Sequence, residues 1–186
     1  MLALAGVAGI VVGLAAQSTL GNFIAGTALA FSQPIRLNDA VIYQRNFGTV
    51  EEITLLHTVI RTWDNRRIVV PNSTINNDVI QNWTMKDTWL LGAVMLYVDY
   101  TCDIEKVKKW TQEIVNNSEF STEERLAGVQ VTDFTDKVMV LRIVCKSWDA
   151  PNTWNLRCEI REKLIAKFQQ EGVALPQIRV SETKRI

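Results

Sequence analysis

The first 35 residues of the chain contain no charged side chain. All 20 Lys and Arg residues and all 20 Asp and Glu residues lie from Arg36 onward, so an uncharged N-terminal segment precedes a charged remainder. The formal net charge is zero, which argues against a general nucleic-acid binder because phosphate neutralisation needs a surplus of Lys and Arg. The same balance disfavours a polybasic membrane tether.

Histidine and cysteine are also scarce. His57 is the only histidine, and the three cysteines, Cys102, Cys145 and Cys158, are far apart and form no C-x-x-C pair. This spacing excludes a disulfide framework and argues against a zinc site. We therefore predict free thiols in a reducing compartment, with no bound metal or cofactor.

Catalytic motifs are absent from the sequence as well. The chain has no G-x-S-x-G nucleophile turn, no Walker loop and no G-x-G-x-x-G fingerprint. Neighbouring carboxylates such as Glu51 with Glu52, or Asp133 with Asp136, lie on predicted strand faces and beside turns, where solvated charge is the usual state. We predict that the chain is not an enzyme.

The uncharged segment is predicted to be a membrane helix. Residues 1–16 are uniformly apolar and small, and as a helix they would cover about 24 Å of a hydrocarbon core of about 30 Å. An unbroken helix to Ile35 would span about 52 Å and overshoot that core. The polar cluster that includes Gln17 and Ser18, with Gly21 after it, therefore predicts a bend near residues 17–21 and a second helix along the membrane interface.

Small residues form a stripe on the first part of this helix. Gly6, Gly9 and Gly13 fall on one face at 100° per residue, and such stripes allow close helix packing in lipid. Ile10 and Leu14 lie beside the stripe, one turn apart. If several copies packed around an axis through their glycine faces, these two residues would form stacked apolar rings that close a pore by excluding water.

A simpler interpretation of this segment is a Gly/Ala-rich anchor without a pore. Each glycine costs about 1 kcal/mol of helix propensity relative to Ala, so a stripe of glycines favours tight helix packing instead. The second half of the segment places Leu20, Ile24 and Phe31 on one face and stops at Pro34. This weak amphipathicity predicts a helix packed partly on lipid or neighbouring chains and partly on a soluble domain.

Short strands with tight turns follow from Arg36 to about residue 85. They predict a small, closed or half-closed, Sm/SH3-like β-barrel domain. The predicted elements are strands over 40–43, 48–53, 57–62, 67–70 and 79–83, with a short helical turn over 74–78.

A β-α-β-β-α-β order follows from Trp89 and predicts a ferredoxin-like domain. Asp103 is predicted to cap the first helix, Pro151 to open the second and Gly172 to end it. The second helix is predicted to bury one apolar face. The predicted strands cover 90–100, 129–132, 137–146 and 177–180, the first helix covers 104–117, and the apolar face of the second consists of Trp154, Cys158, Ile165 and Phe168.

The sequence strongly resembles the small-conductance mechanosensitive ion channel family (MscS-type). The resemblance rests on the run GVAGIVVGLAAQSTLGNFIAGTALAFSQPIRLNDAV, on GTVEEI and on RTWDNRRIVVPNS, in this order. The family signature includes Asn22 after the Gly/Ala helix and the pair Pro71-Asn72 after a turn. The resemblance covers nearly the whole chain and implies a membrane α-helix followed by α+β domains.

The resemblance also implies roles for residues and an assembly. Ile10 and Leu14 fall where the family carries its apolar pore constriction, and Gly6, Gly9 and Gly13 fall among its helix-packing residues. Ser18 stands at the helix bend, where other members have a glycine, and Gly21 is a possible substitute. The implied assembly is a homoheptamer with a cytosolic vestibule, and further transmembrane helices are expected before the pore helix.

The segments implied by the resemblance are a pore-lining helix over 1–35, a β-barrel domain over 36–85 and an α/β ferredoxin-like domain over 86–186. The resemblance implies that the first segment lies in the cell inner membrane among lipid and that residues 36–186 lie in the cytosol. Membrane tension would open the pore to ions and small osmolytes under hypo-osmotic stress. One alternative is a membrane-anchored oligomeric scaffold without conductance; another is an RNA-binding protein, which the neutral charge balance disfavours.

Overall fold

The computed structural model describes residues 2–173 and Pro176. The chain divides into two compact units, Met1–Asp87 and Thr88–Ile186, which are considered separately below. The three segments predicted from the sequence, with boundaries after residues 35 and 85, stay a prediction. The elements in chain order are α1 (Leu2–Ser32), β1 (Ala40–Tyr43), β2 (Asn46–Ile53), β3 (His57–Thr62), β4 (Arg67–Pro71), α2 (Asn72–Asn77), β5 (Gln81–Asn82), β6 (Leu90–Val98), α3 (Ile104–Asn116), β7 (Ala127–Phe134), β8 (Met139–Ser147) and α4 (Ala150–Gln170).

Helix α1 is a single helix of 31 residues. It continues through Gln17, Ser18 and Gly21, where the sequence predicted that one helix ends and a second begins. Gln and Ser cost only a few tenths of a kcal/mol in a helix, so nothing local forces the backbone hydrogen bonds to stop there. The expected interruption is therefore wrong for this structure, whereas a change of axis direction near residues 17–21 stays a prediction. The helix ends at Ser32, two residues before Pro34.

The first unit contains a five-stranded antiparallel sheet of order β4-β3-β2-β1-β5. Strands β1 to β4 lie where the sequence predicted them, and β5 is shorter than predicted because Val79 and Ile80 precede it outside the strand. A β-bulge between Val50 and Glu52 interrupts the register of β2 on β3. The core of this unit consists of Leu29 from α1, with Ile35, Val41, Tyr43, Val50, Ile60, Val70 and Ile75.

The second unit contains a three-stranded antiparallel sheet of order β6-β8-β7, against which α3 and α4 pack. The sequence order βαββα with this strand order is that of a ferredoxin-like fold, as predicted. The predicted final strand over 177–180 lies outside the described residues. The core includes Val94, Leu141 and Ile143 from the sheet and Leu156 and Ile160 from α4, all fully buried.

The helix ends of the second unit follow the sequence. Asp103 accepts hydrogen bonds from the backbone N–H groups of Glu105 and Lys106, at 3.0 and 3.3 Å, as predicted for the N-cap of α3. After α4, Gly172 adopts a φ of +62°, and the N–H of Val173 donates to the Phe168 carbonyl at 3.0 Å. This six-to-one bond past a left-handed glycine is a Schellman motif, which confirms Gly172 as the stop of α4.

The predicted apolar face of α4 is wrong in part. Phe168 is buried as expected, but Trp154 and Ile165 are exposed and Cys158 is only half-buried. The face that packs on the sheet contains Leu156, Ile160 and Leu164, spaced by four residues. Helix α4 therefore carries two apolar stripes. The sequence analysis chose the one with the tryptophan, because hydrophobicity alone does not indicate which stripe faces the sheet.

Candidate functional site

Helix α1 contains a candidate membrane span. Among the described residues, one helical stretch is long and apolar enough to cross a membrane: Gly9–Ser32, 24 residues with a mean hydropathy of 1.3. At 1.5 Å per residue it is about 36 Å long, somewhat more than a hydrocarbon core of about 30 Å. Only 11% of its most apolar window is buried within the chain.

The predicted constriction and packing residues lie on an exposed part of α1. Ile10 and Leu14 are each 66% exposed. No described atom outside the helix lies within 4 Å of a Cβ added at Gly6, Gly9 or Gly13. Within one chain these two sets of residues therefore form open surfaces, and their roles in a pore stay predictions.

The C-terminal half of α1 packs on the β-sheet of the first unit. Ala25 and Leu29 are buried, and Leu29 belongs to the core cluster of the sheet. Asn22, one turn before Gly26, lies on the same side of the helix, whereas Leu20 and Phe31 are exposed on another. The weak amphipathicity of this half thus corresponds to one docked face and one free face.

Gly26 is the point of closest approach between α1 and the sheet. A Cβ built there would lie 2.6 Å from Nδ2 of Asn72 and 2.8 Å from the carbonyl carbon of Leu55, and closer still to the carbonyl oxygen of Leu55. Only a residue without a side chain fits at this position. Sequence analysis missed Gly26, although a glycine inside a predicted helix is itself a signal of close packing.

Asn22 links α1 to the beginning of α2. Its side-chain oxygen accepts hydrogen bonds from the backbone N–H of Ser73 at 3.0 Å and from the Ser73 hydroxyl at 2.7 Å. The first N–H groups of a helix have no partner within the helix, and Pro71, at the N-cap position, has no side-chain acceptor. Asn22 therefore caps α2 from a different helix.

Asn72 is fully buried beneath this contact, and both of its side-chain polar atoms and its backbone N–H form hydrogen bonds. Its side-chain nitrogen donates to the Thr54 carbonyl at 2.8 Å and its side-chain oxygen accepts from the Thr58 hydroxyl at 2.9 Å. Its backbone N–H donates to the Leu56 carbonyl at 3.0 Å. Asn72 thereby fixes the loop between β2 and β3, whose Leu55 carbonyl faces Gly26.

The structure brings three of the predicted residues together. Asn22 contacts Ser73, and Pro71 and Asn72 immediately precede Ser73 in the chain, so the family signature forms one junction. Gln17 and Ser18 are exposed and lie about one turn or more before this junction, nearer the candidate constriction. The junction therefore holds the C-terminal half of α1, and the predicted bend separates that half from the open N-terminal half.

A buried carboxylate anchors the connection between α1 and β1. Asp39 accepts hydrogen bonds from the Arg36 backbone N–H at 2.8 Å, from the Asn82 side chain at 2.7 Å and from the Thr84 hydroxyl at 2.9 Å. The Asn82 side chain also donates to the Pro34 carbonyl at 3.0 Å. The chain that leaves α1 is thus attached to β5 at the edge of the sheet.

Two shifted pKa values in this unit belong to residues of the sheet. Burial raises the pKa of Tyr43, and its hydrogen bond to Asp78 at 3.0 Å raises it further. The hydrogen bond from Arg67 lowers the pKa of Glu51 on the sheet surface. In the part of the chain that the structure describes, no three His, Cys, Asp or Glu residues are grouped to hold a metal ion.

Comparisons with known proteins cover the part of the chain that contains the junction. The family model described as "Mechanosensitive ion channel, beta-domain" matches residues 18–85, which include both Asn22 and Ser73. An MscS family protein of Archaeoglobus fulgidus is 27% identical over 177 residues, which are 95% of this chain and 62% of that protein. The chain is similar to the MscS-type family. This is a family of ion channels and not an enzyme class.

Other relatives extend the comparison. The large-conductance mechanosensitive channel MscMJLR of Methanocaldococcus jannaschii is 35% identical over 117 residues, 63% of this chain and 32% of that protein. The chain thus spans less than two thirds of the length of either relative. The crystal structure of Helicobacter pylori MscS in its closed state matches all of this chain and 73% of its own, with a TM-score of 0.84 and 22% identity. This last likeness concerns the fold.

Proposed function

We propose that the protein is a mechanosensitive ion channel that membrane tension opens, and that it releases ions and small osmolytes under hypo-osmotic stress. The observation that carries the proposal is the division of α1. Its N-terminal half is apolar and open, with Ile10 and Leu14 exposed, and its C-terminal half is attached to a folded domain through Gly26 and the Asn22–Ser73 contact.

In the proposed closed state, several copies of α1 surround an axis and pack through Gly6, Gly9 and Gly13. The open space at each glycine allows a neighbouring helix backbone to approach closely. Ile10 and Leu14 then face the axis as two apolar rings that exclude water. The lining carries no charge, so the open pore should select only weakly among ions.

Tension acts through the cross-sectional area of the channel. The open state occupies more membrane area than the closed state, so tension favours it in proportion to the area difference, as a ligand favours the state that it binds better. Opening requires α1 helices to move against one another along their small faces. The junction at Asn22 and Gly26 would hold the C-terminal half on the β-domain during this movement.

The proposed assembly is a homoheptamer in the cell inner membrane, with residues 36–186 in the cytosol. The oligomer number is supported by the resemblance to MscS-type channels. Oligomerisation itself is supported by the open faces of α1, since a single copy of this helix cannot enclose a pore. The proposed partners are other copies of the chain, membrane lipid and the permeating solutes.

Patch-clamp recording of the whole protein in liposomes under stepped suction tests the proposal. The wild-type channel is expected to open in proportion to tension. Leu14→Ser is expected to open at lower tension or to leak, because a hydroxyl ring holds water in the constriction. Val12→Ser is the matched control, since Val12 is equally exposed but lies about 160° away around the helix.

Each result has a defined meaning. A shift in Leu14→Ser without a shift in Val12→Ser supports the pore-facing position of Leu14. If the opening tension shifts equally in both variants, Leu14 is not part of the gate. Conductance under tension would still support a channel. Absence of conductance at tensions close to membrane rupture contradicts the proposal and favours an anchored scaffold.

A further inference from the structure

Helix α4 presents a second apolar stripe that nothing in the described chain covers. Trp154 is 61% exposed, Ile165 is 54% exposed, and Cys158 lies between them, half-buried. At 100° per residue these three positions fall within about 40° of one another and well away from the core face. A tryptophan and an isoleucine on one exposed stripe are more than isolated surface residues, because the stripe extends over three helical turns.

Two arginines without carboxylate partners border this stripe. Arg157 and Arg161 are one helical turn apart and half-buried, and neither forms an ion pair among the described residues. Nε of Arg157 is buried without a hydrogen-bond acceptor. The guanidinium carbon of Arg157 lies 5.9 Å from the ring centroid of Trp154, so the cation and the aromatic ring belong to one surface. This surface is apolar, with the two arginines on one border and the exposed Glu162 on the other.

The complementary surface lies on the same unit, at the tip of the β7–β8 hairpin. Phe134 is 73% exposed there. Asp133 immediately precedes it and Asp136 follows two residues later, and neither carboxylate has a cationic partner in the part of the chain that the structure describes. The tip therefore combines an exposed aromatic ring with two carboxylates, and with Lys137 in the same turn it keeps a net negative charge.

We propose that the hairpin tip of one copy packs on the outer stripe of α4 of a second copy, with Phe134 beside Trp154 and Cys158. Asp133 and Asp136 would then face Arg157 and Arg161. The inference rests on the proposed homo-oligomeric channel and identifies one of its subunit contacts. Pairing α4 with α4 of another copy around a two-fold axis would place arginine against arginine, whereas the hairpin supplies the opposite charge.

The contact joins two different surfaces of the chain, so it is heterologous. Every copy offers its hairpin to one neighbour and its α4 to another, and a contact of this kind closes into a ring when the rotation allows it. Such a geometry is compatible with copies arranged around a pore axis.

Disulfide crosslinking of the whole protein tests the contact. Phe134→Cys places a thiol beside the native Cys158 of the neighbouring copy, while Cys102 and Cys145 are buried. With copper(II)-phenanthroline and dissolved oxygen, the two thiols lose two protons and two electrons to the oxidant and form one S–S bond. Non-reducing gels are expected to show bands at twice the subunit mass and above, up to the full ring, since each copy carries both surfaces.

Three controls test whether the crosslink is specific. Adding Cys158→Ser to Phe134→Cys should abolish the higher bands. Lys109→Cys, an exposed position on α3 of the same unit, should give none of them. Reversing both aspartates, as Asp133→Arg with Asp136→Arg in the Phe134→Cys protein, should lower the yield about fivefold, and adding Arg157→Asp with Arg161→Asp should restore it.

The oligomer mass and the conductance under tension are measured on the same preparations. An intact oligomer that conducts but gives no bond between Cys158 and the cysteine placed at position 134 overturns the proposed contact and leaves the channel proposal standing. If the charge reversals leave the crosslink yield unchanged, the proposed ion pairing is overturned. A monomeric protein without conductance overturns the channel proposal, and the subunit contact with it.

Discussion

The side-chain oxygen of Asn22 accepts two hydrogen bonds from Ser73, a residue 51 positions later in the chain. One donor is the backbone N–H at 3.0 Å and the other is the hydroxyl at 2.7 Å. The beginning of α2 is thus completed by a residue of α1. Any rotation of α1 about its own axis breaks this contact, so the orientation of the helix and the integrity of α2 depend on each other.

Removing the acceptor should cost more than removing one donor. Asn22→Ala eliminates both hydrogen bonds and is expected to lower the free energy of unfolding by about 1–2 kcal/mol. Ser73→Ala eliminates only the hydroxyl bond and should cost roughly half as much. Thermal unfolding of the purified variants measures the difference, and hydrogen exchange of α2 locates it. Equal losses in the two variants would show that the backbone N–H bond contributes nothing.

Two glycines of α1 should respond to alanine with opposite signs. Gly26→Ala forces a Cβ against Asn72 and the Leu55 carbonyl, and overpacking of this kind costs about 1–3 kcal/mol. Gly21→Ala meets no described atom within 4 Å and should gain up to about 1 kcal/mol of helix propensity. Midpoints of thermal unfolding in the same detergent compare them directly. A loss of stability in both variants would argue against the close approach at Gly26.

The junction illustrates what the sequence could and could not predict. The succession of strands along the chain was predictable, as were the residues of β3 and the N-cap at Asp103. Alternation, turn residues and capping residues act over a few positions, so they can be recognised in the sequence. The partner of Asn22 was not predictable, because no local pattern connects residues 51 apart. Gly26 was missed for the same reason: its constraint comes from Leu55, on a loop distant in sequence.

The turn between β1 and β2 is strained and should be easy to stabilise. Gln44 and Arg45 have φ values of +47° and +66°, and Tyr43 faces Asn46 across a two-residue loop. Such loops favour Asn-Gly, since left-handed backbone costs other L-residues about 1–2 kcal/mol each. Gln44→Asn with Arg45→Gly should therefore raise the free energy of unfolding by roughly 1–2 kcal/mol. Asn65→Gly, at a φ of +66°, is the control with a smaller gain because Asn already tolerates this conformation.

Thiol reactivity should separate the three cysteines. Burial raises the pKa of Cys145 to about 11, partly offset by the nearby Arg157, and burial also raises the pKa of Cys102. At about pH 9 iodoacetamide should modify the half-buried Cys158, more slowly where the proposed hairpin contact covers it, and leave the other two intact until the protein unfolds. Mass spectrometry of digested protein measures the sites. Rapid modification of Cys145 in folded protein would contradict its burial.

The same shift predicts a dependence of stability on pH. The folded pKa of Cys145 exceeds the value of about 8.5 for an unfolded chain. Its contribution to stability is therefore complete below about pH 8.5 and is lost as the pH rises towards 11. Denaturant titrations across this range should show a smaller decline for Cys145→Ala than for the wild type. Identical slopes for the two proteins would exclude Cys145 as the titrating group.

Helix α4 shows a second limit of sequence reasoning. Both apolar stripes are present on the helix surface, and the stripe with Trp154 looks the more hydrophobic in the sequence. The face that packs is the one that fits the sheet: Thr153 and Arg157 approach Gly92 closely, where a side chain on the strand would collide with them. Shape complementarity between distant segments thus decides which face is buried, and sequence periodicity does not contain that information.

The separation of Asn22 from Ser73 also bears on how the protein is made. Ribosomes add about 5–20 residues per second, so α1 emerges several seconds before the residues that hold it. The N-terminal half of α1 therefore has time to leave the ribosomal exit tunnel and contact its surroundings before the sheet has been synthesised. The hydrogen bonds of Asn22 therefore cannot form until Ser73 has been made, well after α1 itself.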